Sequence, residues 1–496
     1  MHIRLILKFC LNEGIEMRVC LIAEGAYPYV TGGVSSWIHS LITSMPETEF
    51  IIFAIAAERK QQGKFNYKLP SNLLAVHEVF LDTHLEKQAK WGKRFHLTPS
   101  QKQDLFALVS DDEPVNWESL FNLIRSKQFQ NVDEFLSSKD YYDIVQHLAI
   151  TKYRNVPYTE LFWTVNSMIL PLFTIIREDI PKADVYHAVS TGYAGIVGTL
   201  AKIIHQKPLL LTEHGIYSRE REEEIIKANW VKGCFKDLWI NYFYTLSSSI
   251  YSLADEVITL FRKNKEIQIE LGCREEKIRI IPNGIEVSDY QNVIRTLPED
   301  RIRIGAIVRV VPIKDIKMMI QMFALVEQKL PTAELFIMGP AEEDSDYYDE
   351  CIQLVEVLGI QNIHFTGMVQ IKDYIGNLDF LILTSISEGQ PLAILEGFAC
   401  SKPYVCTNVG GCQELIAGNE DPYGPAGYIV PVLDYEEMAS YVLKLCENEQ
   451  LRKQLGQNGF NRVNELYKRS AFIKSYKQIY ARLGGETIGR NRIRTT

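Results

Sequence analysis

The sequence predicts an α/β protein with two large domains. Its 496 residues exceed the size of one ordinary domain, and a hydrophobic content of 46% supplies ample core for two. Short apolar runs, such as 18–23 and 379–384, are followed by loops and then by helical spacing of apolar residues. Such runs are typical of buried parallel strands that alternate with helices.

Composition and charge exclude several classes of function. The net charge is −9 and the pI is about 5.7, which disfavours a protein that coats a polyanion, so nucleic acid is not an expected partner. The nine cysteines include no Cys-x-x-Cys pair, and Cys400, Cys406 and Cys412 recur at a spacing that matches no zinc motif. This usage fits a reducing compartment, and we expect a cytoplasmic protein.

The first sixteen residues are interpreted as an amino-terminal extension. Their apolar run, Leu5 to Leu7, is too short to span a bilayer, and no small-residue cleavage site follows it. The first strand is predicted at Arg18 to Ala23, so the first domain is expected to begin at Met17. No other stretch of transmembrane length is free of charges.

Two glycines follow the first predicted strand and precede a helical pattern. Gly32 and Gly33 allow the backbone to approach a ligand closely, although a plain tight turn would use the same residues. The Gly-x-Gly-x-x-Gly pattern of a dinucleotide-binding dehydrogenase is absent here.

A long aromatic segment, about 85–181, is predicted as a helical insertion in the first domain. It has too much apolar surface for a disordered linker. Binding of an acceptor, docking of a partner and simple covering of the core all remain open as its role. The aromatic residues are Trp91, Phe95, Trp117, Phe121, Phe129, Phe135, Tyr141, Tyr142, Tyr158, Phe162 and Trp163.

His214 lies at the end of a later strand of the first domain. The predicted strand 208–212 runs into Glu213, His214 and Gly215. Because open α/β sheets bind ligands outside the carboxyl ends of their strands, a histidine there is a candidate for the site. A histidine with a purely structural role is the alternative. The preceding glycines, Gly192, Gly195 and Gly198, are spaced for close packing of a helix on the sheet.

Two cations follow the first strand of the second domain. Arg309 comes directly after the strand, and Lys314 lies five residues later, in or near the first turn of a helix. Two cations at one edge of a sheet are costly unless an anion lies between them, so the pair indicates an anionic ligand. An ordinary solvated pair is the alternative.

Two glutamates flank the loop after the predicted strand 379–384. Glu388 is placed in the loop and Glu396 in the helix that follows Gly389 and Pro391. Backbone N–H groups at a helix start have no intrahelical partner and suit a phosphate or a sugar hydroxyl. A strand–helix corner with solvated glutamates is the simpler alternative.

The combination of these motifs resembles the retaining nucleotide-sugar glycosyltransferases of family 4. Ser385, the Glu-x7-Glu spacing and the enclosed Gly-Gln-Pro-Leu carry the likeness, together with Pro-Asn-Gly at 282–284. Elsewhere the resemblance narrows to the subfamily that builds the Pel biofilm exopolysaccharide, and it spans about residues 17–485. It implies the GT-B fold, in which two Rossmann-like domains face an interdomain cleft.

The resemblance also implies roles for individual residues. His214 and Glu388 are expected to contact the donor sugar as the catalytic pair, and Glu396 to hold the ribose. The remaining donor-binding residues implied are Gly32, Gly33, Arg309, Lys314, Met368, Gly389, Gln390, Pro391 and Leu392.

The predicted domains are an extension at 1–16, an acceptor-side domain at 17–290 and a nucleotide-sugar-binding domain at 300–470. The resemblance implies that residues 471–496 form a helix that returns to the first domain, followed by a tail. The predicted activity moves a sugar from a UDP-sugar, with UDP-glucose as the expected donor, to a growing exopolysaccharide with retention and without a metal. Membrane-embedded assembly proteins are the implied partners. A non-catalytic sugar-nucleotide-binding subunit and an enzyme like UDP-N-acetylglucosamine 2-epimerase are the alternatives.

Overall fold

The computed structural model describes residues 17–82, 92–110, 112–418 and 421–493, with the backbone alone for 486–493. The predicted extension at 1–16 and Trp91 lie outside these residues. The contacts divide the chain into two compact units. The first takes in the described residues up to Ile258, Gln268–Arg279 and the segment from Tyr476, and the second takes in Thr259–Ile267 and Ile280–Ser475. The sequence predicts the boundary between the two domains at about 290–300 and the return of the chain to the first domain at 471.

The first unit is built on a seven-stranded sheet in the order β3-β2-β1-β4-β5-β6-β7. The pairings from β3 through β5 are parallel. Because the order reverses between β1 and β4, the loops that follow these two strands flank a topological switch point. The strands are β1 (Met17–Glu24), β2 (Thr48–Ala56), β3 (Leu73–Phe80), β4 (Val185–Ala188), β5 (Leu209–Glu213), β6 (Glu256–Thr259) and β7 (Ile278–Ile280).

Ten α-helices lie in the described residues before Arg303, where the sheet of the second unit begins. They are α1 (Gly33–Thr43), α2 (Pro99–Ser110), α3 (Trp117–Ile124), α4 (Val132–Leu136), α5 (Lys139–Thr151), α6 (Tyr158–Arg177), α7 (Gly192–His205), α8 (Tyr217–Lys227), α9 (Lys236–Leu253) and α10 (Arg262–Glu270). Helices α2 to α6 form the insertion that the aromatic residues predict.

The insertion is part of the first unit's hydrophobic core. Phe135 is fully buried against the rings of Phe129, Tyr141 and Phe173, at centroid distances of 5.0 to 5.9 Å. Side chains of Asn116, Asn131 and Ser138 cap α3, α4 and α5 by accepting backbone N–H bonds. Local capping and shared burial therefore hold these short helices in place.

Helix α6 is the one described helix that is long and apolar enough for a membrane span, with a mean hydropathy of 1.3 in its most apolar window. Half of that window is buried within the protein.

The glycine face of α7 packs closely, as the spacing predicts. A Cβ on Gly192 would lie 2.2 Å from the Tyr217 ring, and one on Gly198 would lie 2.7 Å from Leu209. Gly195 is looser, with Ile250 at 3.2 Å. These glycines allow α7 to approach β5, α8 and α9.

The second unit is built on a six-stranded sheet with the strand order β10-β9-β8-β11-β12-β13. All of the strand pairings in this sheet are parallel. The strands are β8 (Arg303–Ile307), β9 (Glu334–Met338), β10 (Ile363–Gly367), β11 (Phe380–Leu383), β12 (Tyr404–Thr407) and β13 (Gly427–Val430). The order reverses between β8 and β11. The loops after these two strands therefore meet at the switch point of the sheet.

The helices of this part of the chain are α11 (Ile316–Lys329), α12 (Ser345–Leu358), α13 (Ile371–Ile375), α14 (Leu392–Ala399), α15 (Cys412–Ala417), α16 (Tyr435–Glu447), α17 (Glu449–Leu466) and α18 (Arg469–Ile493). The last helix carries Tyr476 and Tyr480 into the core of the first unit. Each unit thus has its own parallel sheet with helices, so the prediction of two Rossmann-like domains is confirmed.

Candidate functional site

The loop after β8 presents the two predicted cations. Arg309 follows the strand, and Lys314 ends a 3-10 turn at Pro312–Lys314 rather than lying in α11. Asp315 begins α11 with a φ of 45°, and its carboxylate accepts a bond from the Met318 N–H at 3.2 Å. The Thr384 hydroxyl donates to the carbonyl of Lys314 at 2.7 Å, which ties this turn to the end of β11.

Glu388 lies beside Lys314 at the switch point. Lys314 Nζ is 2.5 Å from Glu388 Oε1, and Ser385 Oγ donates to the same oxygen at 2.6 Å. The side chains of the ion pair are only 17% and 11% exposed. Both donors use Oε1, so within the described part of the chain Oε2 has no protein donor and remains available to a ligand hydroxyl.

Three loops interlock around Glu388. The N–H of Ile386 donates to Ile313 O at 2.9 Å, and Gly411 N–H donates to Gly389 O at 2.8 Å. The Thr407 hydroxyl donates to Ser385 O at 2.6 Å. The loops after β8, β11 and β12 therefore hold one another, and the position of Glu388 depends on all three.

Gly410 packs directly against the backbone of Glu388. Its φ is +52°, and a Cβ there would lie 2.1 Å from Glu388 O. Both facts require glycine, because a side chain would be strained and would push the Glu388 loop away. The sequence shows the Gly-Gly pair after β12, but its contact with Glu388 could not be inferred without the strand order.

Several predicted donor-binding residues already have protein partners. Arg309 Nη1 is paired with the carboxylate of Glu343. The Gln390 side chain accepts the Asn283 N–H at 2.6 Å and is nearly buried, so it anchors the Pro-Asn-Gly turn. A donor at Arg309 would therefore have to compete with Glu343.

Glu396 and Met368 occupy different surroundings. Burial raises the pKa of the Glu396 carboxyl, while a hydrogen bond with the Tyr290 hydroxyl opposes that rise. Met368 follows β10, the edge strand, and is 73% exposed. The structure brings Lys314, Glu388 and the 389–392 segment together, whereas Met368 follows the edge strand of the same sheet.

Gly32 and Gly33 lie after β1 at the start of α1, beside the switch point of the first sheet. A Cβ on either glycine would meet no atom of the described residues within 4 Å, and Gly32 has an extended φ of 175°. Packing and backbone strain thus do not require glycine at these two positions. The approach of a ligand to Gly32 and Gly33 stays a prediction.

His214 follows β5 at the carboxyl edge of the first sheet and is half-buried. Its ring meets the Trp37 indole edge-on, at a centroid distance of 4.8 Å. Burial lowers the pKa of His214 to about 4. The imidazole is therefore neutral near pH 7, which suits a hydrogen bond to a sugar better than a role as a resident cation.

A buried polar network lies beneath His214. The His187 ring bonds to the Tyr480 hydroxyl at 2.7 Å and to Thr212 Oγ1 at 2.8 Å, and Thr212 also bonds to Tyr476 at 2.9 Å. Burial, with a smaller contribution from His214, lowers the pKa of His187 to about 3. Helix α18 thus fixes the end of β5 from which His214 projects.

Glu213 is a second buried anchor next to His214. Its carboxylate accepts bonds from Tyr251 at 2.6 Å, from Gln268 at 2.8 Å and from the Tyr217 N–H at 3.2 Å. Burial raises the pKa of Glu213 to about 7, although these donors oppose the rise. Glu213 joins β5 to α8, α9 and α10, and sequence reasoning did not select it as a site residue.

Nothing in the described ranges groups three or more His, Cys, Asp or Glu side chains as a metal site would. Asp344 and Asp346 form an Asp-x-Asp pattern, which a different glycosyltransferase fold uses to hold a divalent ion. In this structure Asp344 caps α12 by accepting the Tyr347 N–H at 3.0 Å. A capping role accounts for this residue without a metal.

Comparison with known proteins agrees with this architecture. Residues 17–276, more than half of the chain, match the family model described as "Domain of unknown function (DUF3492)", and 290–462 match "Glycosyl transferases group 1". The capsular polysaccharide biosynthesis glycosyltransferase CapM of Staphylococcus aureus is 26% identical in an alignment of 309 positions, which covers 58% of this chain and 74% of CapM.

Two solved structures show the same fold. Sucrose-phosphate synthase from Thermosynechococcus elongatus has a TM-score of 0.59 at 15% identity, over 95% of this chain and all of that one. HepE from Anabaena, in complex with UDP-glucose, has a TM-score of 0.58 at 15% identity, over 94% of this chain and all of that one. At such identities the likeness establishes the fold alone. The chain belongs to the DUF3492 family, carries a glycosyl transferases group 1 domain and is a glycosyltransferase of the GT-B type.

Proposed function

We propose that the protein is a retaining glycosyltransferase that moves glucose from UDP-glucose to a growing exopolysaccharide. The observation that carries the proposal is the Lys314–Glu388 pair at the switch point between β8 and β11, held by three interlocked loops. A cation for phosphate and a carboxylate for sugar hydroxyls are therefore in direct contact with each other, at the edge where such sheets bind ligands.

Two cations and one carboxylate have separate roles in the proposed reaction. Lys314 and Arg309 stabilise the negative charge that develops on the leaving diphosphate, each by roughly 4 kcal/mol at about 4 Å and an effective dielectric of about 20, before desolvation is subtracted. Glu388 accepts bonds from hydroxyls of the donor sugar through its available oxygen. As the family resemblance implies, the leaving phosphate helps to deprotonate the acceptor on the same face, and His214 contacts the donor sugar.

The identity of the donor and of the product rests on similarity. HepE binds UDP-glucose in its solved complex, and CapM is named for capsular polysaccharide biosynthesis. We extend both properties to this chain as part of the proposal. We also propose that the protein is cytoplasmic and is held at the inner face of the membrane by membrane-embedded assembly proteins.

The proposed reaction needs no metal, because Lys314 and Arg309 supply the positive charge at the diphosphate. Transfer is expected to continue in excess chelator and in an Asp344→Asn/Asp346→Asn double variant, since asparagine preserves the cap of α12. Arg309→Ala should fail under the same conditions. Chelator-sensitive activity that manganese restores would contradict this assignment of the diphosphate site.

A panel of nucleotide sugars tests the proposal as a whole. The chain is incubated with UDP-glucose, UDP-galactose, UDP-N-acetylglucosamine and GDP-mannose, and release of the nucleoside diphosphate is measured with and without added saccharide acceptors. UDP-glucose should give the fastest release. The absence of release from every UDP-sugar would favour a non-catalytic subunit, and interconversion of UDP-N-acetylglucosamine would favour an epimerase.

A further inference from the structure

A groove on the first unit lies apart from the residues assigned above. Its volume is about 380 Å³, within the size range of small-ligand sites. One wall is the polar stripe of α6 around Trp163, and the other is the connection between α8 and α9 that carries Trp230. The insertion and the Rossmann-like part of the unit therefore build this groove together.

Two indoles are presented to solvent in the groove. Trp163 is 58% exposed and Trp230 is 70% exposed, although tryptophan is normally among the best-buried side chains of a fold. Such exposure contributes little to folding. Two exposed indoles on facing elements indicate a surface that is used for binding.

Both indoles are held in place by buried rings. Phe162, which is 5% exposed, meets Trp163 edge-on at 5.4 Å, and Trp239, which is 8% exposed, meets Trp230 edge-on at 5.5 Å. Trp239 in turn stacks on Phe243 at 5.7 Å. The two exposed ring faces are thus pre-positioned, which lowers the entropic cost of binding a ligand.

The polar lining of the groove is neutral in sum. Glu160 Oε1 and Lys232 Nζ lie 2.7 Å apart and join the two walls, and no other charged side chain lines the described groove. Thr159, Thr164 and Ser167 supply hydroxyls along the exposed face of α6. A neutral groove does not favour a phosphate or an anionic lipid surface, and a polar stripe on α6 does not favour the apolar interior of a bilayer.

We propose that this groove binds a neutral saccharide chain. The apolar face of a sugar ring packs on the indoles of Trp163 and Trp230, while its hydroxyls bond to Glu160, Lys232 and the hydroxyls of α6. The occupant is a segment of the acceptor polysaccharide, and this identification rests on the proposed function. Holding the chain at a second point raises its effective concentration near the enzyme and favours repeated transfer to one chain.

Affinity electrophoresis in native gels tests the groove with no nucleotide sugar present. The gels contain dextran, hydroxyethylcellulose or galactomannan, which are neutral polymers. The wild-type chain should be retarded by at least one of them. The Trp163→Ala/Trp230→Ala double variant should bind at least about ten-fold more weakly, as expected for two aromatic side chains that a bound saccharide would cover. Trp163→Tyr, which keeps an aromatic ring, should retain part of the retardation.

The matched control is Ile150→Ala on α5, because Ile150 is also a large exposed apolar residue at 57% exposure. It should be retarded like the wild type, and all variants should have similar melting temperatures. The proposal is overturned if no neutral polymer retards the wild-type chain, or if the double variant is retarded equally. It is also overturned if the indoles support only co-sedimentation with phosphatidylglycerol vesicles. UDP release from UDP-glucose tests the proposed function separately, since retardation does not depend on turnover.

Discussion

At the scale of single residues, the carboxylate of Glu388 has the best-defined surroundings of the candidate site. Lys314 and Ser385 both donate to its Oε1, which fixes the side chain. Its Oε2 remains available to a hydroxyl donor from a ligand. The pair is largely shielded from water, so its electrostatic interaction is stronger than that of a surface ion pair.

Glu388→Gln tests this residue with little change in shape. The amide still accepts from Ser385, but the charge opposite Lys314 and the second carboxylate oxygen are lost. Turnover of the donor should fall on the order of hundred-fold or more, because contacts worth several kcal/mol in the transition state are removed. Affinity for UDP, measured by calorimetry, should change little. Glu342→Gln, an exposed acid after β9, serves as the control, and near-normal turnover in Glu388→Gln would refute the assignment.

His214→Ala separates a catalytic contact from a structural one. The ring is half-buried and meets the Trp37 indole edge-on, and its removal should change the melting temperature by only a few degrees. Turnover should fall on the order of hundred-fold if the imidazole bonds to the donor sugar. His147→Ala, an exposed histidine on α5, is the control. A collapse of thermal stability in parallel with activity would show that His214 is structural.

At the scale of elements, the loops after β8, β11 and β12 behave as one assembly. Gly410→Ala probes it from outside the predicted site. The new Cβ would lie 2.1 Å from Glu388 O at a φ of +52°, so the Glu388 loop must shift. The donor kcat/KM should fall by more than about ten-fold, since even small displacements of catalytic groups are costly.

Gly411→Ala is the matched control for this change. Its Cβ would lie 3.2 Å from the Phe261 ring, and its backbone has no positive φ. It should therefore have a clearly smaller effect on kcat/KM. Equal effects of the two alanines would show that the contact between Gly410 and the Glu388 loop is not specific.

The elements themselves were largely predictable from the sequence. The apolar run at 379–384 becomes β11, and the glycine spacing of α7 gives the predicted close packing. The contact of Lys314 with Glu388 could not be predicted from the sequence. These residues are 74 positions apart and meet only because β8 and β11 are neighbours in the sheet. Pairings from exposed loops, such as Arg309 with Glu343, leave no periodic signal in a sequence.

At the scale of the whole molecule, α18 links the carboxyl terminus of the chain to the sheet of the first unit. Tyr476 and Tyr480 reach Thr212 and His187, more than 250 residues earlier in the chain. Aromatic residues in the last helix are visible in the sequence, but their partners depend on tertiary structure. The functional roles of the predicted site residues remain predictions, since they require a bound donor.

The His187 network predicts a pH dependence of stability. Its folded pKa of about 3 lies below the unfolded value of about 6.5, so the unfolded chain binds more protons and stability is lost as the pH falls from about 6.5 toward 3. His187 alone should account for about 2 kcal/mol of lost unfolding free energy between pH 7 and pH 5. The raised pKa of Glu213 acts in the opposite direction, because its folded state retains a proton up to about pH 7.

Urea unfolding of the wild type and of His187→Gln at pH 7 and pH 5 isolates this contribution, since Glu213 and His214 are common to both chains. On acidification from pH 7 to pH 5, the free energy of unfolding should fall by about 2 kcal/mol more in the wild type than in the variant. An equal loss in both chains would show that His187 does not carry the predicted pH dependence.

Transfer of glucose from UDP-glucose with retention at the anomeric carbon can be measured directly. Proton NMR of the chain with UDP-glucose and a saccharide acceptor follows both the release of UDP and the anomeric signal of the new product. We expect UDP to appear together with an α-configured glucosyl product, matching the α-linkage in the donor, at a rate that Glu388→Gln lowers on the order of hundred-fold. A β-configured product would contradict retention, and UDP release that is equally fast in Glu388→Gln would contradict the assignment of Glu388 to the donor site.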